Sequence, residues 1–163
     1  MPLMFRNGAL RICWRTKLTL FLLIFAGWLA LPPTAHAEGV AEAEQKVRVF
    51  RVFSGDSVLV RQRGRSWRAR LDGVEAPDPA TAAGEASRAI LEKMIGGRHV
   101  FVVVVGEESD GYSPVRMRLE DWDIAREMAL AGAVRVRSAD PRLIAAEAEA
   151  RDNAYGLWGR ENR

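Results

Sequence analysis

A chain of 163 residues, 48% of them apolar, is long enough for one domain with its own hydrophobic core. Its formal net charge of +3, from 24 Lys and Arg against 21 Asp and Glu, is no polycation. A single cysteine and two histidines exclude a disulfide framework, a cysteine metal site and any centre built on several histidines.

The chain opens with Arg6, Arg11, Arg15 and Lys17, followed by an apolar run at 18–31, Pro32-Pro33 and Ala35-His36-Ala37. A basic leader, a short apolar stretch and an A-x-A site describe a secretory signal peptide over residues 1–37. The apolar run is shorter than the ~20 residues that span a bilayer, so cleavage rather than a retained membrane anchor is expected. The exported product is periplasmic or secreted on this reading. Removing the four basic residues of the leader leaves 20 basic against 21 acidic residues, net −1. The high isoelectric point therefore belongs to the leader and does not argue for nucleic acid. Cys13 and His36 leave with it. Hydrolytic chemistry in the mature chain would fall to carboxylates, arginines and a hard metal ion, because His99 is the one histidine remaining.

Residues 38–45 are polar and alanine-rich and read as a flexible lead-in to a domain at 46–160. Alternating apolar and polar residues predict strands at 47–53, 57–63 and 66–72, the last two joined by a tight turn at Arg63-Gly64-Arg65. Residues 46–70 carry eight basic side chains and one acid, Asp56. Such a face attracts phosphates, and it equally describes arginines on the wet side of an amphipathic sheet. Trp67 is the one aromatic counted in the basic strands, poor support for a base-stacking platform. A helix is expected at 81–95 with Ala86, Ala89, Ile90 and Met94 as its apolar face, stopped by Gly96-Gly97. The β-branched run 99–105 reads as a central strand with His99 at its edge. Residues 107–114 form a turn-rich loop, and 115–119 a fifth strand. A short helix at 124–131 has Asp121 or Asp123 as cap and Gly132 as stop. Asp140-Pro141 opens a last helix reaching about 154, with Leu143, Ile144, Ala148 and Tyr155 apolar. Leu157-Trp158 is expected to plug the core. Three strands, a helix, two strands and C-terminal helices are compatible with an α+β fold built on a five-stranded OB-type barrel, and with other small α+β folds.

Asp56 follows the turn at Ser54-Gly55, Arg70 closes the third strand, and Glu75-Ala76-Pro77-Asp78 forms a short acidic loop. Acid, arginine and acid at one end of a small sheet could hold a divalent cation beside a phosphate. The chain resembles the staphylococcal nuclease (thermonuclease-like) family from 47 to 158. The resemblance is carried by Ser54-Gly55-Asp56-Ser57-Val58, the run from Arg70 to Asp78, Gly84-Glu85-Ala86, Asp110-Gly111-Tyr112, the stretch MALAGA at 128–133 and Gly156-Leu157-Trp158. It implies an OB-type barrel with flanking helices and Ca²⁺-dependent hydrolysis of phosphodiesters in DNA or RNA. Asp56 matches the family's first metal aspartate and Arg70 its first phosphate arginine. Glu75 stands where a second metal aspartate is usual, and Ala76 could offer a carbonyl to the metal. Asp78 stands where the water-orienting glutamate is usual.

Two departures bear on activity. Asp78 is one methylene short, and Pro114 occupies the place of the second arginine. Losing an arginine clamp resembles losing one oxyanion donor, ~10²–10³ in rate. Arg116, on the same strand face as Pro114, is the candidate replacement, set against a plain solvent-facing role. Two readings result: a monomeric exported nuclease with a degenerate site, and a non-catalytic OB-type module that binds nucleic acid or an envelope component.

Overall fold

The computed structural model describes residues 43–159. The signal-peptide reading of 1–37, and the lead-in up to residue 42, lie outside them. Strand β1 (Gln45–Val52) pairs antiparallel with β2 (Ser57–Gln62), and β2 with β3 (Arg65–Leu71). The β2–β3 turn is two residues long, with φ +47° at Arg63 and +83° at Gly64. Both positive angles define a type I′ turn, whose twist suits a hairpin and whose second position favours glycine. A two-residue strand β4 (Val74–Glu75) follows, then helix α1 (Ala82–Ile95), β5 (His99–Val104) and β6 (Ser113–Leu119).

β5 pairs antiparallel with β1 and with β6, and β6 returns to run parallel with β3. That last pairing closes the ring β3-β2-β1-β5-β6 into a five-stranded mixed barrel. Strand β7 (Trp122–Asp123) turns back to pair antiparallel with β6, α2 (Ile124–Leu130) and α3 (Pro141–Asp152) follow, and β8 (Arg135–Val136) between them pairs with β4. The architecture is α+β, an OB-type barrel with three helices among the described residues.

The interior is written in the alternation of the strands. Val47, Val49, Val58, Val60, Ala69, Val100, Val102, Val115 and Met117 are each at most 2% exposed. Leu91 and Ile95 of α1 and Ile124 and Met128 of α2 close the ends at 0%. Each of these valine, leucine, isoleucine and methionine side chains contributes ~1.5–3 kcal/mol on burial.

Three sequence expectations change. α1 buries Gly84, Ser87, Leu91 and Ile95, while Ala86 and Ala89 are exposed and Ile90 and Met94 only partly covered. Two short contacts set this phase: Ser87 Oγ donates to Ala133 O at 2.6 Å, and a Cβ on Gly84 would lie 2.0 Å from Asp78 O. α3 buries Leu143, Ala146 and Ala150, leaving Ile144 49% and Tyr155 52% exposed and Ala148 on the surface. Leu157 and Trp158 are half-buried on the flank, with Arg151 stacked 4.2 Å from the Trp158 ring. Gly156 crosses Gly132 backbone to backbone, and Leu157 N donates to Gly132 O at 2.8 Å, which holds this turn outside the core. At the other end, β1 begins at Gln45, and Glu44 meets Arg118 at 2.6 Å. His99 is the exposed first residue of β5, as expected.

Candidate functional site

The site is assembled by the β2–β3 register. Phe53 N and Ser54 N both donate to Ser57 O, at 2.9 and 3.3 Å, folding residues 53–57 into a compact turn. Leu71 N then donates to Asp56 O at 2.8 Å, which fastens the turn to the end of β3. Ser57 lies opposite Arg70, and Arg70 opposite Pro114 of β6. Asp72, Gly73 and β4 follow at once, so the acidic loop has no freedom to leave this rim.

Asp56 is half-buried and held from both sides. Ser54 Oγ donates to its Oδ1, and Ala76 N donates to its Oδ2 at 3.3 Å. Ser54 is also bonded to Ser57 through their hydroxyls. Arg70 is half-buried and its Nε is fully covered with no hydrogen-bond partner. Its guanidinium carbon sits 4.3 Å from the centre of the Tyr112 ring, a cation–π contact. Among the described residues no carboxylate pairs with it.

Asp56, Arg70, Glu75, Ala76, Asp78 and Tyr112 line one open cavity of about 610 Å³. Five of the six sequence candidates are therefore together. Arg116 is not among them. It is exposed and lines a different cavity with Arg118, Asp123 and Arg142. The reason is a change of strand partner. The β3–β6 ladder ends at Leu71 opposite Val115, and Arg116 already lies opposite Val103 of β5.

Within the cavity the acids are committed unequally. Glu75 is exposed and takes Arg137 Nε on its Oε2 at 2.5 Å. Both side chains are more than half exposed, so the bond is easily exchanged. Asp78 is exposed and works in its own turn, its Oδ1 accepting from Ala80 N at 2.8 Å and its carbonyl from Thr81 N at 2.9 Å. This Asx turn starts α1, whose cap is Thr81 accepting from Gly84 N at 3.0 Å.

The donor set does not fit a preassembled calcium cage. No group of three or more His, Asp and Glu side chains gathers in ligating positions among the described residues. Asp56 meets two hydrogen-bond donors, and it is the amide of Ala76, not its carbonyl, that faces this carboxylate.

Sequence reasoning missed two participants. Tyr112 stood in a recognised motif without a role. Arg137 meets Glu75, and with Arg135 it lines a second hollow of about 260 Å³ that shares Glu75, Ala76, Pro77 and Asp78 with the first. The alternation of residues 134–137 was the available signal, too short to read as a strand.

No family model matches the chain. Protein ParB of Escherichia coli is 31% identical to it over 132 residues, which cover 72% of this chain and 75% of that protein. The chain belongs to the family of Protein ParB. Two further relatives, from Escherichia coli O157:H7 and Escherichia coli, each carry the name Uncharacterized endonuclease. Each is 28% identical over 153 residues, covering 88% of this chain and 90% of its own. What this member of the ParB family presents at the barrel rim is a guanidinium free of carboxylates beside a carboxylate held rigid by Ser54 and Ala76. That arrangement can seat a phosphate-like anion and orient a polar group against it.

Proposed function

We propose that the protein is a nuclease-like phosphodiesterase of the staphylococcal nuclease type, acting on DNA or RNA at the cavity that holds Arg70 and Asp56. One observation carries the reading. Three carboxylates line the cavity with Arg70, and none of them pairs with it. A half-buried arginine whose neighbouring acids are engaged elsewhere keeps its charge available for an anion from outside. The fold, the order of the motifs and the relatives named as endonucleases support a phosphodiester as that anion. Arg70 would take the non-bridging oxygens. Asp56, kept in place by two hydrogen bonds, would orient the attacking water. The leader pattern at 1–37 supports export to the periplasm or beyond.

The test is cleavage of single-stranded DNA by the purified protein, with added Ca²⁺ and with a chelator. Slow cleavage that Arg70→Ala lowers ~10²–10³-fold supports the reading. Cleavage indifferent to Arg70→Ala, or none at high protein concentration, removes it. A binding module without turnover is the second reading, favoured by Pro114 in the place of an arginine and by the bond from Arg137 to Glu75. It predicts salt-sensitive binding of the same DNA with no product under either condition.

A further inference from the structure

The outer face of β1–β2–β3 carries a row of arginines that the site does not account for. Strand register puts them on one side. Arg48, Arg61 and Ser66 lie across from one another, then Arg51, Leu59 and Arg68, then Ser57 and Arg70. The core residues Val58, Val60, Ala69 and Leu71 occupy the opposite side. Along β2 the row from Ser57 to Arg61 spans four residue steps, ~13 Å.

Almost every arginine in it rests on a ring. Arg61 lies 4.3 Å from the Phe50 ring centre, and Arg51 and Arg68 each lie 5.5 Å from that of Phe53. Arg68 also reaches Tyr112 at 5.6 Å, the ring that carries Arg70 at 4.3 Å. Phe50 sits at the bulge between Val49 and Arg51 and is 56% exposed. Trp67, expected to be the one ring here, packs against the core instead. Arg48 donates to Gly97 O at 3.3 Å, and its end of the row opens into a hollow of about 580 Å³ that also holds Lys46, Arg61 and Arg63. Glu44, the acid that lines it, is taken by Arg118. None of Arg48, Arg51, Arg61, Arg68 and Arg70 pairs with a carboxylate among the described residues.

Cations left unneutralised on rings gain affinity only when an anion arrives, and ~13 Å exceeds what a single phosphate needs. We infer that this face is a track for one single strand of nucleic acid, running from the Arg70 cavity past Arg68 and Arg51 to Arg48 and Arg61. The arginines hold successive phosphates, and Phe50 and the arginine planes stack on bases. The inference rests on the nuclease reading for its substrate and adds the form, an unpaired strand longer than the cleaved bond.

The test separates binding from turnover. The full chain is titrated, with chelator present, into a labelled oligothymidylate of about twelve nucleotides at a series of salt concentrations. Replacing Arg48, Arg61 and Arg68 together by Gln should lower the slope of log affinity against log salt by about two, ~0.7 for each lost phosphate. Phe50→Ala should weaken binding about tenfold at fixed salt. Arg126→Gln with Arg151→Gln, which removes two arginines from the helices, should leave the slope unchanged. An unchanged melting temperature certifies that the variants fold. A slope that falls by less than half a unit, or equally in the helix variant, overturns the track. So does arginine-dependent binding to anionic lipid vesicles with no binding of the oligonucleotide. Cleavage is scored separately, so the track can stand when turnover is absent, and turnover can stand when the track fails.

Discussion

Arg70→Met separates a residue kept for stability from one kept for a ligand. Methionine fills nearly the same volume without charge or donors. Arg70 Nε is fully covered and unpartnered, and a buried donor in that condition costs about 1–3 kcal/mol. The contact with Tyr112 at 4.3 Å returns about 0.5–2 kcal/mol. Removing both terms centres the substitution on ~0.8 kcal/mol of stabilisation, between limits of ~1 kcal/mol destabilising and ~2.5 kcal/mol stabilising. Denaturant unfolding measures that difference, with an unchanged m-value certifying the comparison. Cleavage of single-stranded DNA by the same variant should fall ~10²–10³-fold, because the phosphate loses its guanidinium. Opposite signs in the two assays are the expected signature of a functional residue. A loss of more than about 2 kcal/mol in Arg70→Met would show that Arg70 holds the rim together, and the argument from its unused charge would collapse.

Gly84→Ala should destabilise the protein by more than ~1 kcal/mol and lower DNA binding, since its Cβ would fall 2.0 Å from Asp78 O and force α1 off the acidic loop; urea unfolding and anisotropy check both. Pro114→Arg should raise cleavage ~10²–10³-fold if the lost clamp limits the rate, because residue 114 lies directly beside Arg70 on the neighbouring strand; an unchanged rate shows that the defect lies elsewhere. The Arg118 hydrogen bond holds the Glu44 carboxyl below its ordinary pKa of 4.5. A depressed carboxylate contributes stability above its unfolded pKa and loses it as pH falls through the folded value. Glu44→Gln should therefore unfold slightly earlier than the parent at about pH 6, with the gap narrowing as pH falls below 4.5, and a gap that widens on acidification contradicts the pairing.

The barrel was legible because its strands read as alternating or β-branched runs and the turn at Arg63-Gly64 carries a glycine where a two-residue hairpin needs one. The helices were legible in place but not in phase. Alanine at 86, 89 and 148 gives an apolar signal yet has little surface to bury. The phase of α1 is set instead by Ser87 meeting Ala133 and by the absent side chain of Gly84. Neither contact has a hydrophobic signature. The 157–158 turn was misjudged for a similar reason, since the approach of Gly156 to Gly132 is backbone against backbone.

At the site, Asp56, Arg70 and the loop 75–78 could be grouped from the sequence because one hairpin register and one short connection tie them. What the acids do there could not. Asp78 reads as a catalytic carboxylate, but its spacing from Ala80 also makes an Asx turn, and that turn is what occupies it. Glu75 reads as a metal ligand, but a strand sixty residues later delivers Arg137 to it. Arg116 looked like a neighbour of the cavity because residues 114 and 116 share a strand face. That rule holds only while the strand keeps its partner, and β6 exchanges β3 for β5 between those two residues. Arg70 is the opposite case. An ion pair with the acids it sits among was the alternative to a phosphate role, and among the described residues no carboxylate pairs with it. Its contact with the Tyr112 ring accounts for the position of the guanidinium but not for the covered, unpartnered Nε, and that donor is the part of Arg70 for which folding gives no reason.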